Sequence, residues 1–287
     1  MVPPEIRQRY AGQIRTAANI RSEALLHAFA AVPREDFLGP APWTVIAGSA
    51  PGRTQPQITE VSDPCELYRD VAVFLDASRN LANGNASTLA TWLDACALTA
   101  GKSVFHLGCG TGYYTAIIAE IVGPRGPVTA AEIDATLASR ARENLARYPN
   151  VRVIEGDGGL IDTGPRDAIF VNAGVTHPTG AWLDSLTIGG TLLVPITVDI
   201  GIPHVGKGMV LLVTRRAEGY AARFLPLPVI IYSCASLRDP AMSAAFGRQF
   251  MSGTHASVES LRRDPHPEEP SCWLHTASFC LSTRPVM

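Results

Sequence analysis

Apolar residues in the first forty positions recur at helical spacing. Ile20, Leu25, Leu26, Ala28, Phe29 and Val32 follow it until Pro33 stops the pattern, which predicts helix over residues 1 to about 38. Residues 39–64 are rich in Gly, Pro, Ser and Thr, with Trp43, Val45 and Ile46 as the apolar anchors, and read as a long loop or arm. A short strand is expected over Leu67 to Leu75, and the polar run Asn80 to Ser87 reads as a turn. Helical spacing returns over Thr88 to Leu98, with Leu89, Trp92, Leu93 and Cys96 on one side. From Ser103 the period alternates. Strands are predicted at 103–107, 128–133, 151–154, 167–172 and 191–196, separated by helices at 113–121, 136–148 and 181–186. That alternation predicts a doubly wound α/β domain with a mostly parallel sheet and helices on both faces. A hairpin over 209–232, turning at Ala217-Glu218-Gly219, closes it. The tail beyond Asp239 reads as two weak helices and a last apolar stretch, Cys272 to Leu281. Three segments result: an N-terminal helical segment and arm (1–98), an α/β core (99–235) and a C-terminal extension (236–287).

Composition narrows the class. The 287 residues are 46% apolar and 17% charged, ample for a core and wrong for a disordered chain. A net charge of −2 leaves no basic excess, so neither nucleic acid nor a membrane surface is an expected partner. The six cysteines include no CxxC pair, which argues against a disulfide scaffold and a zinc ribbon. His255, His266, Cys272 and His275 match no common ligand spacing, so no metal is expected. The N-terminal MVPPEIRQRY lacks the apolar region of a secretory signal, and the apolar run 224–232 is far too short to span a bilayer. A cytoplasmic location is the expectation.

The most informative segment is Val104-Phe-His-Leu-Gly108-Cys-Gly110-Thr-Gly112-Tyr113. A strand runs into three glycines at alternate positions and a helix follows. Residues without Cβ let the backbone turn tightly and approach a ligand closely. Glu132, twenty residues past Gly112, ends the next strand, where a carboxylate can accept hydrogen bonds from both hydroxyls of a ribose. The dinucleotide fingerprint GxGxxG would need glycine at position 113, where this chain has Tyr113. The GxGxG pattern resembles instead the first motif of class I S-adenosylmethionine-dependent methyltransferases.

Further segments sharpen that resemblance. Val32-Pro33-Arg34-Glu35-Asp36-Phe37, Gly156-Asp157-Gly158, Asp167-Ala168-Ile169-Phe170-Val171 and Leu186-Thr-Ile-Gly189-Gly190-Thr-Leu-Leu-Val194-Pro195-Ile196 occur in order. Together they resemble the protein-L-isoaspartate O-methyltransferase family over roughly residues 20–230. The resemblance implies a Rossmann-like, seven-stranded methyltransferase sheet and S-adenosyl-L-methionine as cofactor, leaving S-adenosyl-L-homocysteine. It implies cofactor contacts at Gly108, Cys109, Gly110, Gly112, Tyr113, Glu132, Ile133, Asp157, Gly158 and Asn172, with Glu132 on the ribose and Asp157 at the adenine edge.

The acceptor half departs from the family. Its Ser-Gln-Pro segment falls, without gaps, on Gly84, Asn85 and Ala86, with Ser87 and Thr88 close by, and His106 stands where the family has an acid. Asn85, Ser87 and His177 are therefore the candidate acceptor-side or catalytic residues. His177 follows the fourth strand at the ligand-binding edge, where a general base for a hydroxyl or amine would stand. His106, inside a strand, reads as a core residue. The leading expectation is a methyltransferase acting on a carboxylate of a dedicated peptide or small molecule. The alternatives are a genuine isoaspartyl repair enzyme, an NAD-dependent oxidoreductase and a non-catalytic cofactor-binding module.

Overall fold

The computed structural model describes residues 2–47 and 57–286. In chain order the first elements are α1 (Pro4–Ala18), α2 (Glu23–Ala31), β1 (Trp43–Ala47), β2 (Gln57–Val61), β3 (Val71–Asp76), β4 (Leu81–Asn83) and α3 (Ala86–Ala95). Next come β5 (Val104–Leu107), α4 (Tyr113–Val122), β6 (Val128–Glu132), α5 (Ala135–Asn144), β7 (Val151–Glu155), β8 (Arg166–Val171) and α6 (Gly180–Ser185). The last are β9 (Leu186–Asp199), β10 (Val205–Arg216), β11 (Gly219–Tyr232), α7 (Pro240–Met251), β12 (Ser260–Arg262), β13 (Cys272–His275) and β14 (Cys280–Ser282). They form two compact units that interleave along the chain: Met1–Lys102 with Cys109–Gly156, and Ser103–Gly108 with Asp157–Met287. The contiguous segments suggested by the sequence cut the chain differently, because a sheet with crossovers brings together strands distant in sequence.

In the first unit, local signals set the helix ends. Pro4 opens α1, where a missing N–H costs nothing, and Asn19 closes it in a left-handed conformation at φ 50°. Ser22 caps α2 by accepting from the Leu25 N–H. Tyr10, Ile14, Leu25, Phe29 and Phe37 form an apolar core that also takes the buried ring of Tyr113. The expected arm is a correction. Trp43 pairs with Val61 and Val45 with Val73, making β1 one of the two inner strands of an antiparallel sheet ordered β2-β1-β3-β4. Trp43 and Val45 are buried, a two-residue alternation that the surrounding Gly and Pro obscured. Residues 48–56 of the arm lie outside the described residues. β6 and β7 pair in parallel, Val128 with Val151.

In the second unit the strand order is β13-β14-β12-β11-β10-β9-β8-β5. β5, β8 and β9 are parallel, whereas β9, β10 and β11 form a long antiparallel meander. The sheet is therefore mixed rather than mostly parallel, and this unit alone exceeds the seven strands expected. The surplus comes from the tail. After α7 and one short helical turn, residues 260–282 supply three strands that continue outward from β11. Phe224, Phe246 and Trp273 pack around one another beneath them.

Candidate cofactor and acceptor sites

The glycine loop is built around a carboxylate. Glu132, at the end of β6, is buried; its Oε2 accepts the Gly110 N–H at 2.8 Å and its Oε1 the Asp134 N–H at 3.1 Å. Burial raises its pKa against those backbone donors. A carboxylate oxygen can accept twice, so both oxygens keep capacity for a ribose hydroxyl. Helix capping falls to Asp134, which accepts from Thr136 and Leu137 at the start of α5. Gly112 enters α4 at φ 96°, and a Cβ there would stand 2.8 Å from Leu145 Cδ1. Its glycine is required twice over, by conformation and by space.

Three flanking residues differ in what they offer. Ile133 is 61% exposed, an apolar face beside Glu132. The Cys109 thiol is buried, and burial raises its pKa well above the ordinary value, so it is no nucleophile. The Tyr113 ring is a correction to its place among the cofactor contacts. It packs edge-on against Phe29, Phe37 and Tyr114 with the Arg34 guanidinium 5.7 Å away, which leaves only its backbone for a ligand.

The acceptor-side segment is held by residues to which the sequence assigned no role. Asn85 caps α3: its Oδ1 accepts the Thr88 N–H, and its Nδ2 donates to the Asp70 carbonyl at 3.0 Å. The Asp70 carboxylate in turn accepts the Ser87 N–H at 2.9 Å and the Ser87 hydroxyl at 2.7 Å. Asn85 and Ser87, expected to meet a substrate, thus spend these groups on Asp70 and the helix start. Arg34 is fully buried, and its guanidinium donates to the carbonyls of Leu67, Val71 and Gly84 at 2.9–3.2 Å and to Asn83 Oδ1 at 3.3 Å. Tyr114 also donates to the Gly84 carbonyl, at 2.7 Å. A Cβ on Gly84 would come within 2.6 Å of Leu89 Cδ2, so the family's serine has no room here unless Leu89 moves. The place of Arg34 in the Val32–Phe37 family segment was the one sequence signal for this clamp.

In the second unit, Gly108 has φ 73°, and a Cβ would approach the Asn172 carbonyl to 2.9 Å. Asn172 donates its backbone N–H to Leu107 at 2.8 Å, tying β8 to the end of β5. Asp157 closes a turn by accepting the Gly159 N–H on Oδ1 at 2.9 Å, with Gly158 inside that turn. His106 is buried edge-on to Phe170, and burial lowers its pKa to about 3, so it is a neutral core imidazole as its position suggested. His177 Nδ1 lies 2.9 Å from the Thr176 hydroxyl, and partial burial lowers its pKa against the pull of Asp239. It lines a cavity of about 260 Å³ with Arg263 and Phe279.

Residues 59–218, more than half the chain, match the family model described as protein-L-isoaspartate(D-aspartate) O-methyltransferase. The chain belongs to this family. The protein-L-isoaspartate O-methyltransferase of Methanothermobacter thermautotrophicus is 30% identical over 224 residues, covering 76% of this chain and 90% of the relative. That of Ignicoccus hospitalis is 34% identical over 166 residues, covering 56% of this chain and 75% of its own. Among solved structures, a protein-L-isoaspartate O-methyltransferase aligns over 85% of this chain and 69% of its own with TM-score 0.64 at 22% identity. A Plasmodium falciparum protein described as of that activity, solved with S-adenosyl-L-homocysteine, aligns over 79% and 97% with TM-score 0.61 at 17% identity. At these identities the likeness is one of fold, an α/β methyltransferase fold.

As a member of the isoaspartate O-methyltransferase family, the protein is an S-adenosylmethionine-dependent methyltransferase, and the NAD-dependent alternative falls. Left-handed glycines and the buried, backbone-anchored carboxylate of Glu132 fit such a cofactor's amino-acid and ribose ends. Among the described residues no helix is long and apolar enough to cross a membrane.

Proposed function

We propose that this protein O-methylates an isoaspartyl-type carboxylate in a peptide or protein. The family match over residues 59–218, shared with relatives named for that activity, carries the reading. In it, Glu132 takes the ribose hydroxyls, Ile133 the adenine face, and Asp157 with Gly158 the adenine edge. Gly108, Cys109, Gly110, Gly112 and the Tyr113 backbone lie along the amino-acid end, and Asn172 braces Gly108. When bound, S-adenosylmethionine supplies an electrophilic methyl group. A carboxylate acceptor is already ionised at neutral pH, with an ordinary pKa of about 4, so no general base is needed. Holding the reactants in line can supply about 7–11 kcal/mol. His177, whose pKa partial burial lowers, is then a pocket residue rather than the base.

One observation favours a narrower second reading, a dedicated peptide or small-molecule carboxylate. On the gapless placement Gly84 stands where the family has its serine; a side chain there would meet Leu89, and the neighbouring Asn85 amide is spent on Asp70. A carboxylate that relied on that hydroxyl loses a partner worth about 1–3 kcal/mol. The test is methyl transfer to an isoaspartyl peptide, side by side with an ordinary repair enzyme. A kcat/KM within about tenfold of that enzyme supports repair, since about 1.4 kcal/mol separates the two. Isoaspartyl turnover weaker than this, with strong turnover of another carboxylate, supports the dedicated acceptor. Methyl transfer only to hydroxyls or amines overturns both.

A further inference from the structure

The C-terminal strands carry a cluster to which the methyltransferase reaction gives no task. His266, Cys272, His275 and Cys280 each offer one ligand atom, and these four atoms all lie within 4.8 Å of one another. We propose that they form a tetrahedral Cys2His2 zinc site that fastens the last three strands of the second unit.

The backbone builds the site. His266 comes from the loop between β12 and β13, Cys272 and His275 from β13, and Cys280 from β14. His275 and Cys280 are directly paired across the two strands. In an unbroken strand, residues three apart point to opposite faces. A register shift between Cys272 and Leu274 adds the residue that returns Cys272 to the face of His275.

The donor atoms are prepared for a cation. His266 Nδ1 lies 2.7 Å from the Asp264 carbonyl. A carbonyl only accepts, so Nδ1 holds the proton and Nε2 keeps its lone pair. That Nε2 is 3.6 Å from Cys272 Sγ. A ring nitrogen fixed through a carbonyl on its far side is the usual support of a ligating histidine. The Glu269 N–H points at Cys272 Sγ at 3.4 Å and holds the sulfur in place. His275 Nδ1 is buried with no hydrogen-bond partner. Such an orphan is costly unless something accepts its lone pair. Arg262 bridges Asp264 at 2.7 Å and Glu269 at 2.6 Å, bracing the loop that carries His266.

Size and chemistry select zinc. With Zn–S about 2.3 Å and Zn–N about 2.0–2.1 Å, the edges of a tetrahedron are about 3.3–3.8 Å. The His266–Cys272 edge already has that length, and the widest pair closes by about 1 Å on loading. Two thiolates and two imidazoles suit zinc and exclude magnesium or calcium, which take oxygen. Four protein ligands leave no position for water, so the site is structural rather than catalytic. The ligand spacings match no common zinc motif, and the sequence reading grouped His255 with three of these residues in place of Cys280. The His255 ring stacks on Phe250 instead.

The full-length chain, grown with zinc and dialysed into metal-free buffer, is expected to hold about one zinc per chain. Exchange for Co(II) should show the d–d bands of a tetrahedral ion and thiolate charge transfer. Cys272→Ser/Cys280→Ser should retain less than roughly a tenth of the zinc, and Cys65→Ser all of it. Should the double variant fail to fold, chelation of the wild-type chain reads the same point: its unfolding temperature should fall and return with zinc but not magnesium. Wild-type protein without zinc and without cobalt bands overturns the proposal. So does a Cys272–Cys280 disulfide in the freshly purified chain, seen as a mass two hydrogens light.

Discussion

Two buried titratable side chains show how one ionisable group is fitted to a fold. Burial raises the pKa of Glu132, and the Gly110 and Asp134 N–H groups, donating to its carboxylate, offset part of that rise. In the proposed site its value would lie in binding. Glu132→Ala is expected to weaken S-adenosylhomocysteine by about 1.5–3 kcal/mol, roughly ten- to hundredfold in Kd by calorimetry. An unchanged Kd would show that the carboxylate only shapes the glycine loop. His106 works in the opposite sense. Its folded pKa of about 3 lies below the ordinary 6.5, so its stabilising contribution is complete above pH 6.5 and drains away on acidification toward pH 3. Between pH 7 and pH 5 the wild type should lose about 2 kcal/mol more stability than His106→Gln in urea unfolding. Equal losses would mean that the imidazole takes up its proton without leaving the fold.

At the scale of elements, the segment leading into α3 is determined by clamps rather than by its own propensity. Arg34 gathers the carbonyls of Leu67, Val71 and Gly84, and Asp70 gathers the Asn85 and Ser87 end of the helix. Arg34→Met keeps much of the bulk and strands several buried carbonyls, each costing about 1–3 kcal/mol. A loss of about 3 kcal/mol or more is expected from urea titration; a loss below 1 kcal/mol would sink the clamp. Restoring the family's hydroxyl with Gly84→Ser is expected to cost about 1–3 kcal/mol because Leu89 must leave its rotamer, and Leu89→Ala beside it should recover part of that loss. The arm follows the same logic. With β1 paired to β3, removing residues 43–61 strips a neighbour from β3, so a fall in stability should accompany any change in acceptor KM.

For the molecule as a whole, the tail is part of the second unit's core. β12 pairs with β11, and Trp273 and Phe246 cover Phe224. Ending the chain at Arg238 would expose that apolar face. A lower urea midpoint and binding of a hydrophobic dye are the expected outcome. An unchanged midpoint would make the extension an independent appendage. The same packing explains why the proposed metal matters: three strands of three or four residues have little ladder of their own, and a closed zinc site would supply the missing constraint.

What the sequence determined by itself was local and periodic. The helix–strand alternation from Ser103, the hairpin turning before Gly219 and the glycine loop between β5 and α4 are each legible because neighbours in the chain produce them. The family segments were legible for the same reason, being contiguous motifs. Only tertiary structure decided the rest. Asn85 and Ser87 looked free for a substrate until Asp70, some fifteen residues upstream, took their donors. Trp43 looked like a loop residue until Val61 paired with it. Cys280 joined the histidines only through a strand register and an extra residue in β13. Hydrogen-bond donors are finite and strand pairing is non-local, so which polar groups remain for chemistry is settled only when the chain has closed on itself.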